Sequence, residues 1–212
     1  FTALEAELEA ELEARKKQYE FFQNFLLAPN EDSQVKKLKD ILIMKAGKNI
    51  SSSDISEIYS HEFSIPCFGG NGLRGYVRSK SHSGSHVIIG RQGALCGNVK
   101  RVSGDFYATE HAVVVTASLG VNIDWAFYIL SSMNLNQYAT KSAQPGLAVG
   151  TLEELEILLP SLAEQARIVS ILDRFDTLVN DITHGLPAEL AARRRQYEYY
   201  RDKLLTFKEK VS

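Results

Sequence analysis

The residues best suited to chemistry in this 212-residue sequence are cations in a long stretch without acids. No aspartate or glutamate lies between Phe63 and Gly104, but six basic residues and two histidines do: Arg74, Arg78, Lys80, Arg91, Lys100, Arg101, His82 and His86. Such a surface is typical of proteins that bind polyanions, because phosphate contacts supply most of the sequence-independent affinity. The alternative is a solvated face that acidic neighbours neutralise.

Amide side chains near these cations extend the candidate site to base recognition. Arginine and lysine suit guanine and phosphate, and asparagine and glutamine suit adenine. We therefore predict nucleic-acid contacts at Lys45, Lys48, Asn49, Asn71, Arg74, Arg78, Lys80, Arg91, Gln92, Lys100, Arg101, Lys141 and Gln144. Gly70, Gly72 and Gly97 are expected to shape the backbone instead.

Two patterns that could indicate an enzyme are weak. Gly70, Gly72 and Gly75 spell GxGxxG, but a dinucleotide site needs a helix directly after the loop, and strand-like residues follow here. Glu110 and His111 are adjacent, and neighbours on a strand point to opposite faces, so we expect no acid–base cooperation between them. The sequence therefore predicts no catalytic site. The two cysteines lack a CxxC spacing, so we expect buried reduced thiols and no metal site.

Two copies of one helical segment must position this region. Residues 11–27 recur as residues 189–205, with nine of the seventeen positions identical. Each copy has an apolar stripe with alternating steps of three and four, as in a coiled-coil seam, and a third stripe lies between the copies. The predicted seam residues are Leu8, Leu12, Tyr19, Phe22 and Leu26, then Ile168, Leu172, Phe175 and Val179, then Leu190, Tyr197, Tyr200 and Leu204. We expect the copies to pair with each other or with a second chain; the alternative is that each packs on its own domain.

The chain as a whole predicts an α+β protein, with a globular mixed α/β domain flanked by long coiled-coil-forming helices. We place the boundaries at residues 1–28 (helix), 29–160 (globular domain) and 161–212 (helices). Capping boxes predict helix starts at Thr151 with Glu154 and at Ser161 with Glu164. No apolar run approaches the ~18 residues of a membrane span and no signal peptide is visible, so we expect a cytoplasmic protein. Because Phe1 is not an initiator methionine, a fragment or trimmed chain is expected.

Several longer motifs resemble one protein family. PSLAEQARIVSILDRFDTL followed by GLPAELAARRRQYEYYRDKLL resembles the conserved region of the specificity subunit of type I restriction-modification systems. FSIPCFGGNG, VIIGRQGALCGNV and FYATEHAVVV resemble a target recognition domain of that family. A full specificity subunit has two recognition domains and this chain has one. It therefore resembles half a subunit, either a C-terminal half or a naturally shortened form.

The resemblance implies a DNA-reading subunit that does no chemistry itself. In the family, each recognition domain reads one half of a split DNA sequence in the major groove, and long antiparallel helices hold two domains apart. S-adenosylmethionine, Mg and ATP then belong to the partner methyltransferase and restriction subunits. The sequence agrees, since we find no S-adenosylmethionine glycine motif, NPPY-like tetrad, P-loop or nuclease carboxylate cluster.

The sequence also predicts how the chain assembles, and it leaves two alternative functions open. One recognition domain with two complementary seams predicts a homodimer through the terminal helices and a palindromic, interrupted target. The first rival is a coiled-coil adaptor whose central domain binds protein rather than DNA. The second is an enzyme that uses His82, His86 or His111 with Glu110.

Overall fold

The computed structural model describes residues 2–28, 33–93, 95–141, 145–180 and 186–206. The chain divides into two compact units, a helical unit formed by Phe1–Leu26 with Ser170–Ser212 and a central unit formed by Leu27–Val169. Helices and sheets are both present, so the predicted α+β class is confirmed.

Three long helices supply the helical unit: α1 (Thr2–Leu27), the C-terminal part of α5 (Leu162–Asn180) and α6 (Leu186–Leu205). Phe22 of α1 stacks on Phe175 of α5 with ring centroids 5.2 Å apart. Glu9 of α1 forms an ion pair with Arg194 of α6. The order of these contacts is reversed along the two segments, so α1 runs antiparallel to the α5–α6 segment. Helix α1, which contains the first repeat copy, therefore pairs within one chain with the α5–α6 segment, which contains the second copy.

Most of the predicted seam residues lie on the less exposed faces of these helices. Buried positions are Ile168, Leu172 and Val179, and half-buried positions are Leu12, Tyr19, Phe22, Leu26, Phe175, Leu190 and Tyr197. Tyr200 is an exception and remains 43% exposed. Leu8 and Leu204 lie in described helices, but their side chains are outside the described part of the structure.

The central unit contains two four-stranded sheets, with strand orders β2-β9-β6-β7 and β4-β3-β8-β5, and a two-stranded sheet, β1-β10. The strands are β1 (Gln34–Lys37), β2 (Leu42–Ala46), β3 (Ile65–Gly69), β4 (Gly72–Val77), β5 (His82–Ser83), β6 (His86–Gly90), β7 (Val99–Val102), β8 (Asp105–Ala108), β9 (Ala112–Ala117) and β10 (Glu156–Leu159). The α-helices of this unit are α2 (Leu38–Ile41), α3 (Ile123–Ser132), α4 (Val149–Glu153) and the start of α5.

The hydrophobic core of the central unit follows from its β-branched runs. Val87 to Ile89 of β6 and Val113 to Val115 of β9 are buried, because each strand lies between two others. Ile88 and Val114 pack in one cluster with Phe106 of β8. This cluster joins the two four-stranded sheets.

Side-chain amides fix the start of α3 and its contact with α5. The side chain of Asn122 accepts hydrogen bonds from the backbone N–H of Asp124 at 2.8 Å and of Trp125 at 3.2 Å, so it is the N-cap. The fully buried Gln165 accepts from the Asn122 N–H at 2.7 Å and donates to the Pro160 carbonyl at 2.9 Å. The loop before α3 is thereby held against the N-terminal turn of α5.

The two predicted capping boxes have different outcomes. Ser161 Oγ accepts from the Glu164 N–H at 3.3 Å, as predicted for the start of α5. The prediction for Thr151 was wrong, because α4 begins at Val149 and places Thr151 inside the helix. Glu154 instead accepts hydrogen bonds from Lys37 and Lys39, both at 2.6 Å, which lower the pKa of its carboxyl to about 2.

The ends of the central unit are paired with each other. Strand β1 is antiparallel to β10, with Gln34 opposite Leu159 and Lys37 opposite Glu156. The two lysines that bind Glu154 adjoin the same pair of strands. The chain therefore enters and leaves the central unit side by side.

Candidate nucleic-acid interface

Three turns of the central unit converge on one place. They are the β3–β4 turn, the turn that follows β6 and the β8–β9 turn. The Arg91 N–H donates to the His111 carbonyl at 2.9 Å and joins the second turn to the third. A Cβ atom on Gly70 would lie 2.9 Å from the Gln92 carbonyl oxygen and 3.1 Å from that of His111. Only glycine permits this approach, so the GxGxxG motif serves backbone packing.

A cleft of about 510 Å³, which we call the turn cleft, opens between these turns. Its polar side chains are Asn71 of the β3–β4 turn, Arg74 of β4, Gln92 of the turn after β6 and His111 of the β8–β9 turn. Lys100 of β7 passes beside Gly72 at the edge of the cleft, and Gly72 has a φ of +101°. The cleft thus combines two cations with two amides and an imidazole.

Arg74 and Lys100 are not neutralised by an acidic side chain in the described part of the chain. Arg74 is exposed and donates one hydrogen bond, to Ser52 Oγ at 3.0 Å. Within residues 2–28, 33–93, 95–141, 145–180 and 186–206, no acidic side chain forms an ion pair with either cation. Arg91 adds a third positive charge, although its Nε is buried and has no hydrogen-bond partner in the same part of the chain. A positive field with hydrogen-bond donors therefore faces the turn cleft.

Three other cations of the acid-free tract are paired with acids. Arg78 contacts Glu62 at 2.8 Å and Lys80 contacts Asp105 at 3.0 Å. Arg101 lies 3.4 Å from Asp124 and over the rings of Phe127 and Tyr128 of α3. These three cations are thus neutralised by acidic neighbours, as the alternative interpretation expected. Arg101 also packs against the aromatic rings of α3.

The remaining predicted contacts lie elsewhere on the central unit. Lys45, Lys48 and Asn49 surround Gly47, and the Asn49 carbonyl accepts a hydrogen bond from Tyr107 at 3.2 Å. Lys141 is exposed, and Gln144 is outside the described residues. Of the thirteen predicted contacts, the structure brings Asn71, Arg74 and Gln92 into the turn cleft and Lys100 to its edge.

The expectation that Glu110 and His111 point apart was wrong. Both residues lie in the β8–β9 turn rather than on a strand, so side-chain alternation does not apply to them. Glu110 Oε1 is 3.3 Å from His111 Nε2, and His111 Nδ1 contacts Gln92 Oε1. His111 was therefore missed as a member of the site, although its position between two strand-like runs indicated a turn.

The other groups considered for chemistry are structural. His82 and His86 both pack on the Phe106 ring, with centroids 5.3 and 5.5 Å away, and neither lines the turn cleft. Burial, followed by the charges of His86 and Lys48, lowers the pKa of His82. Cys67 and Cys96 are free and buried, as predicted, and burial raises the pKa of Cys67 to about 11.

The described residues contain no candidate metal site and no candidate membrane span. In that part of the chain, no cluster of three or more histidine, cysteine, aspartate or glutamate side chains is arranged to bind a metal ion. No described helix combines the length and apolar character that a membrane span needs.

Sequence comparison identifies the family of this chain. Residues 30–192 match the type I restriction modification DNA specificity domain, so the chain belongs to this family. The chain is 58% identical over 172 residues to the type I restriction enzyme EcoprrI specificity subunit of Escherichia coli, covering 80% of this chain and 43% of the relative. It is 30% identical over 234 residues to the EcoR124I/EcoR124II specificity subunit of Escherichia coli, covering 98% and 57%.

Solved structures agree on the fold. The S subunit of a type I restriction-modification system from M. genitalium has a TM-score of 0.69 at 16% identity, covering 98% of this chain and 57% of that one. The HsdS subunit from Thermoanaerobacter tengcongensis has a TM-score of 0.65 at 14% identity, covering 86% and 48%. The chain thus spans between 43% and 57% of the length of these four proteins.

Proposed function

We propose that this chain is the sequence-specific DNA-recognition subunit of a type I restriction-modification complex, and that its central unit reads one half of a split target. The observation that carries the proposal is the turn cleft, where Arg74 and Lys100 keep their charge beside Asn71 and Gln92. Amides and cations in one cleft can hydrogen-bond to base edges in the major groove. The exposed cations outside the cleft, such as Lys45, Lys48 and Lys141, would contact phosphates and fix the register.

Partner subunits would supply the chemistry. We propose that this chain is not itself catalytic, that it binds methyltransferase and restriction subunits, and that these hold S-adenosylmethionine, Mg and ATP. Family membership supports this division of roles. Double-stranded DNA and these subunits would be met in the cytoplasm, where we place the chain.

The decisive test of DNA reading is duplex binding at different salt concentrations. We expect the full chain to enrich one sequence from a randomised duplex library. With about four phosphate contacts, its affinity should fall roughly 100-fold between about 50 and 200 mM salt. The measurement is a fluorescence anisotropy titration. The protein-binding adaptor predicts neither enrichment nor a salt-sensitive affinity, so a flat response would favour that alternative.

We further propose that two chains associate through their terminal helices. The paired helices of one chain still expose aromatic side chains, with Phe21 and Phe25 of α1 about two-thirds exposed and Tyr199 of α6 60% exposed. Exposed apolar surface of this kind is typical of an interface. A twofold dimer would present two recognition domains to an interrupted palindrome.

Light scattering at micromolar concentration tests this association. A dimer has twice the 23.7 kDa mass of the chain. We expect replacement of Phe21 and Phe25 by serine to shift the mass toward the monomer. Replacing Leu119, which is fully exposed on the central unit, is the matched control and should leave the mass unchanged. A monomeric parent chain would contradict the proposal.

A further inference from the structure

One apolar side chain, Leu73, lies in the turn cleft among polar groups and glycines. Among the described residues that line the cleft, it is the one with a large apolar side chain. Leu73 lies on β4 beside Arg74 and is 53% exposed. Burying apolar surface of this kind is favourable, so Leu73 can gain free energy by contact with an apolar group of a ligand in the cleft.

A β-bulge in β4 accounts for the exposure of both Leu73 and Arg74. In a regular strand, neighbouring side chains point to opposite faces of the sheet. Here Cys67 of β3 lies opposite Gly75, and the next residue of β3, Phe68, lies opposite Leu73, so Arg74 is an extra residue in β4. An extra residue of this kind bends the strand and changes the direction of a side chain. Leu73 and Arg74 consequently line the same cleft.

Arg74 is placed beside Leu73 by contacts of its own. Its Cδ would lie 3.9 Å from a Cβ atom on Gly69 of β3, and its guanidinium donates to Ser52 Oγ at 3.0 Å. A guanidinium has five N–H donors, so the contact with Ser52 leaves donors for a DNA ligand. Leu73 therefore lies next to a cation that can hold DNA at the cleft.

The chemistry of base edges determines which base an apolar side chain can recognise. In the major groove, guanine, adenine and cytosine present hydrogen-bonding groups, whereas thymine presents a C5-methyl group beside its O4 acceptor. An apolar side chain gains free energy by covering a methyl group, but it leaves a polar base edge without a hydrogen-bond partner. Thymine is therefore the base that Leu73 matches.

We infer that Leu73 is a specificity residue that covers the C5-methyl group of a thymine in the half-site. This inference rests on the proposed function, because it assumes that the turn cleft reads base edges in the major groove. It deepens that function by naming one base and the apolar contact that selects it. Arg74 holds the DNA beside this contact.

Uracil tests the inference, because it differs from thymine only in lacking the C5-methyl group. The full chain first selects a preferred sequence from a randomised duplex library of unmodified DNA. Each thymine of that sequence is then replaced by uracil in a separate synthetic duplex, and fluorescence anisotropy measures the affinities. We expect one replacement to weaken binding roughly threefold to fivefold, which is the factor that burial of one methyl group contributes.

Variants at Leu73 assign this loss to one side chain. Leu73→Ala should weaken binding to the selected sequence and remove the difference between thymine and uracil, because the methyl group has lost its contact. The salt dependence of binding should stay unchanged, since no charge is removed. Leu73→Met keeps an apolar side chain of similar volume and should retain most of the difference.

Ile43→Ala is the matched control. Ile43 is 51% exposed and, like Leu73, lies on an edge strand of a four-stranded sheet, but it is not among the described residues that line the turn cleft. This variant should keep the full difference between thymine and uracil. Urea unfolding curves show whether each variant folds. If Leu73→Ala does not fold, Leu73→Gln, a polar side chain of similar length, takes its place and should also remove the difference.

The inference and the proposed function fail in different ways. The role of Leu73 is overturned, and DNA reading stands, if the selected half-site contains no thymine or if no uracil replacement weakens binding. The same conclusion follows if Leu73→Ala still prefers thymine to uracil by the parent's factor. If the parent chain enriches no sequence at all, the proposed function itself is refuted.

Discussion

Replacing Arg74 and Lys100 together by glutamine is expected to weaken duplex binding by roughly 100-fold at about 100 mM salt. Both cations lie at the turn cleft, and among the described residues neither forms an ion pair with an acid. Arg74 is exposed, and its one hydrogen bond, to Ser52, joins surface side chains, so the loss should come from binding rather than folding. The slope of log affinity against log salt should also become shallower, because fewer counterions are released.

The matched control for this variant uses two other cations of the same tract. Arg78 and Lys80 are already paired with Glu62 and Asp105, and replacing both by glutamine should change affinity less than about threefold. Anisotropy titrations at several salt concentrations measure both variants. If the control lost as much affinity as the cleft variant, all cations of the basic tract would attract DNA about equally. The turn cleft would then have no special role in binding.

Gly90→Ala is expected to have the largest effect on stability. A Cβ atom at Gly90 would lie less than 3.0 Å from the Gly70 carbonyl oxygen and 3.1 Å from that of Leu95. Both are backbone atoms, so the turns themselves would have to move apart. Gly90 also donates to the Asn98 carbonyl at 2.8 Å and accepts from the Gly97 N–H at 2.7 Å, which holds it in place. We expect a loss of about 3 kcal/mol or more in the free energy of unfolding.

Gly150→Ala is the corresponding control. Gly150 lies in the helix α4, and among the described residues no atom beyond its chain neighbours and the backbone of α4 lies within 4 Å of the place that an alanine methyl group would take. Alanine there should be neutral or should stabilise the chain by up to about 1 kcal/mol. Urea unfolding followed by circular dichroism compares the two variants. Equal stability of Gly90→Ala and the parent would mean that the close approach of the turns is not required.

Local patterns predicted the elements of the fold well. The β-branched runs around Ile88 and Val114 form buried central strands, because such residues pack on both faces of a sheet. The repeat predicted a pairing of helices, and Glu9 of α1 forms an ion pair with Arg194 of α6. These features depend on residues that are close in the sequence or repeated in it. Both kinds of relation can be recognised in the sequence pattern alone.

Contacts between distant residues explain what the sequence could not reveal. Glu62 and Asp105 border the acid-free tract, yet they fold back on Arg78 and Lys80 and neutralise them. Glu154 matched a capping pattern but binds lysines more than a hundred positions away. His111 joined the site only because the β8–β9 turn adjoins Gln92. Pairings of this kind are set by topology, which composition and spacing do not specify.

The pairing of β1 with β10 bears on how such a protein can acquire new targets. Because Gln34 lies opposite Leu159, the interval between them begins and ends on two adjacent strands, and Gln165 of α5 holds it at a further point, Asn122. An interval of different length or loop structure could replace it, provided that the two strands still form their ladder and that a partner for the buried Gln165 is kept. If the central unit reads DNA as proposed, genetic exchange limited to this interval would change the sequence that is read and leave the repeat helices unchanged.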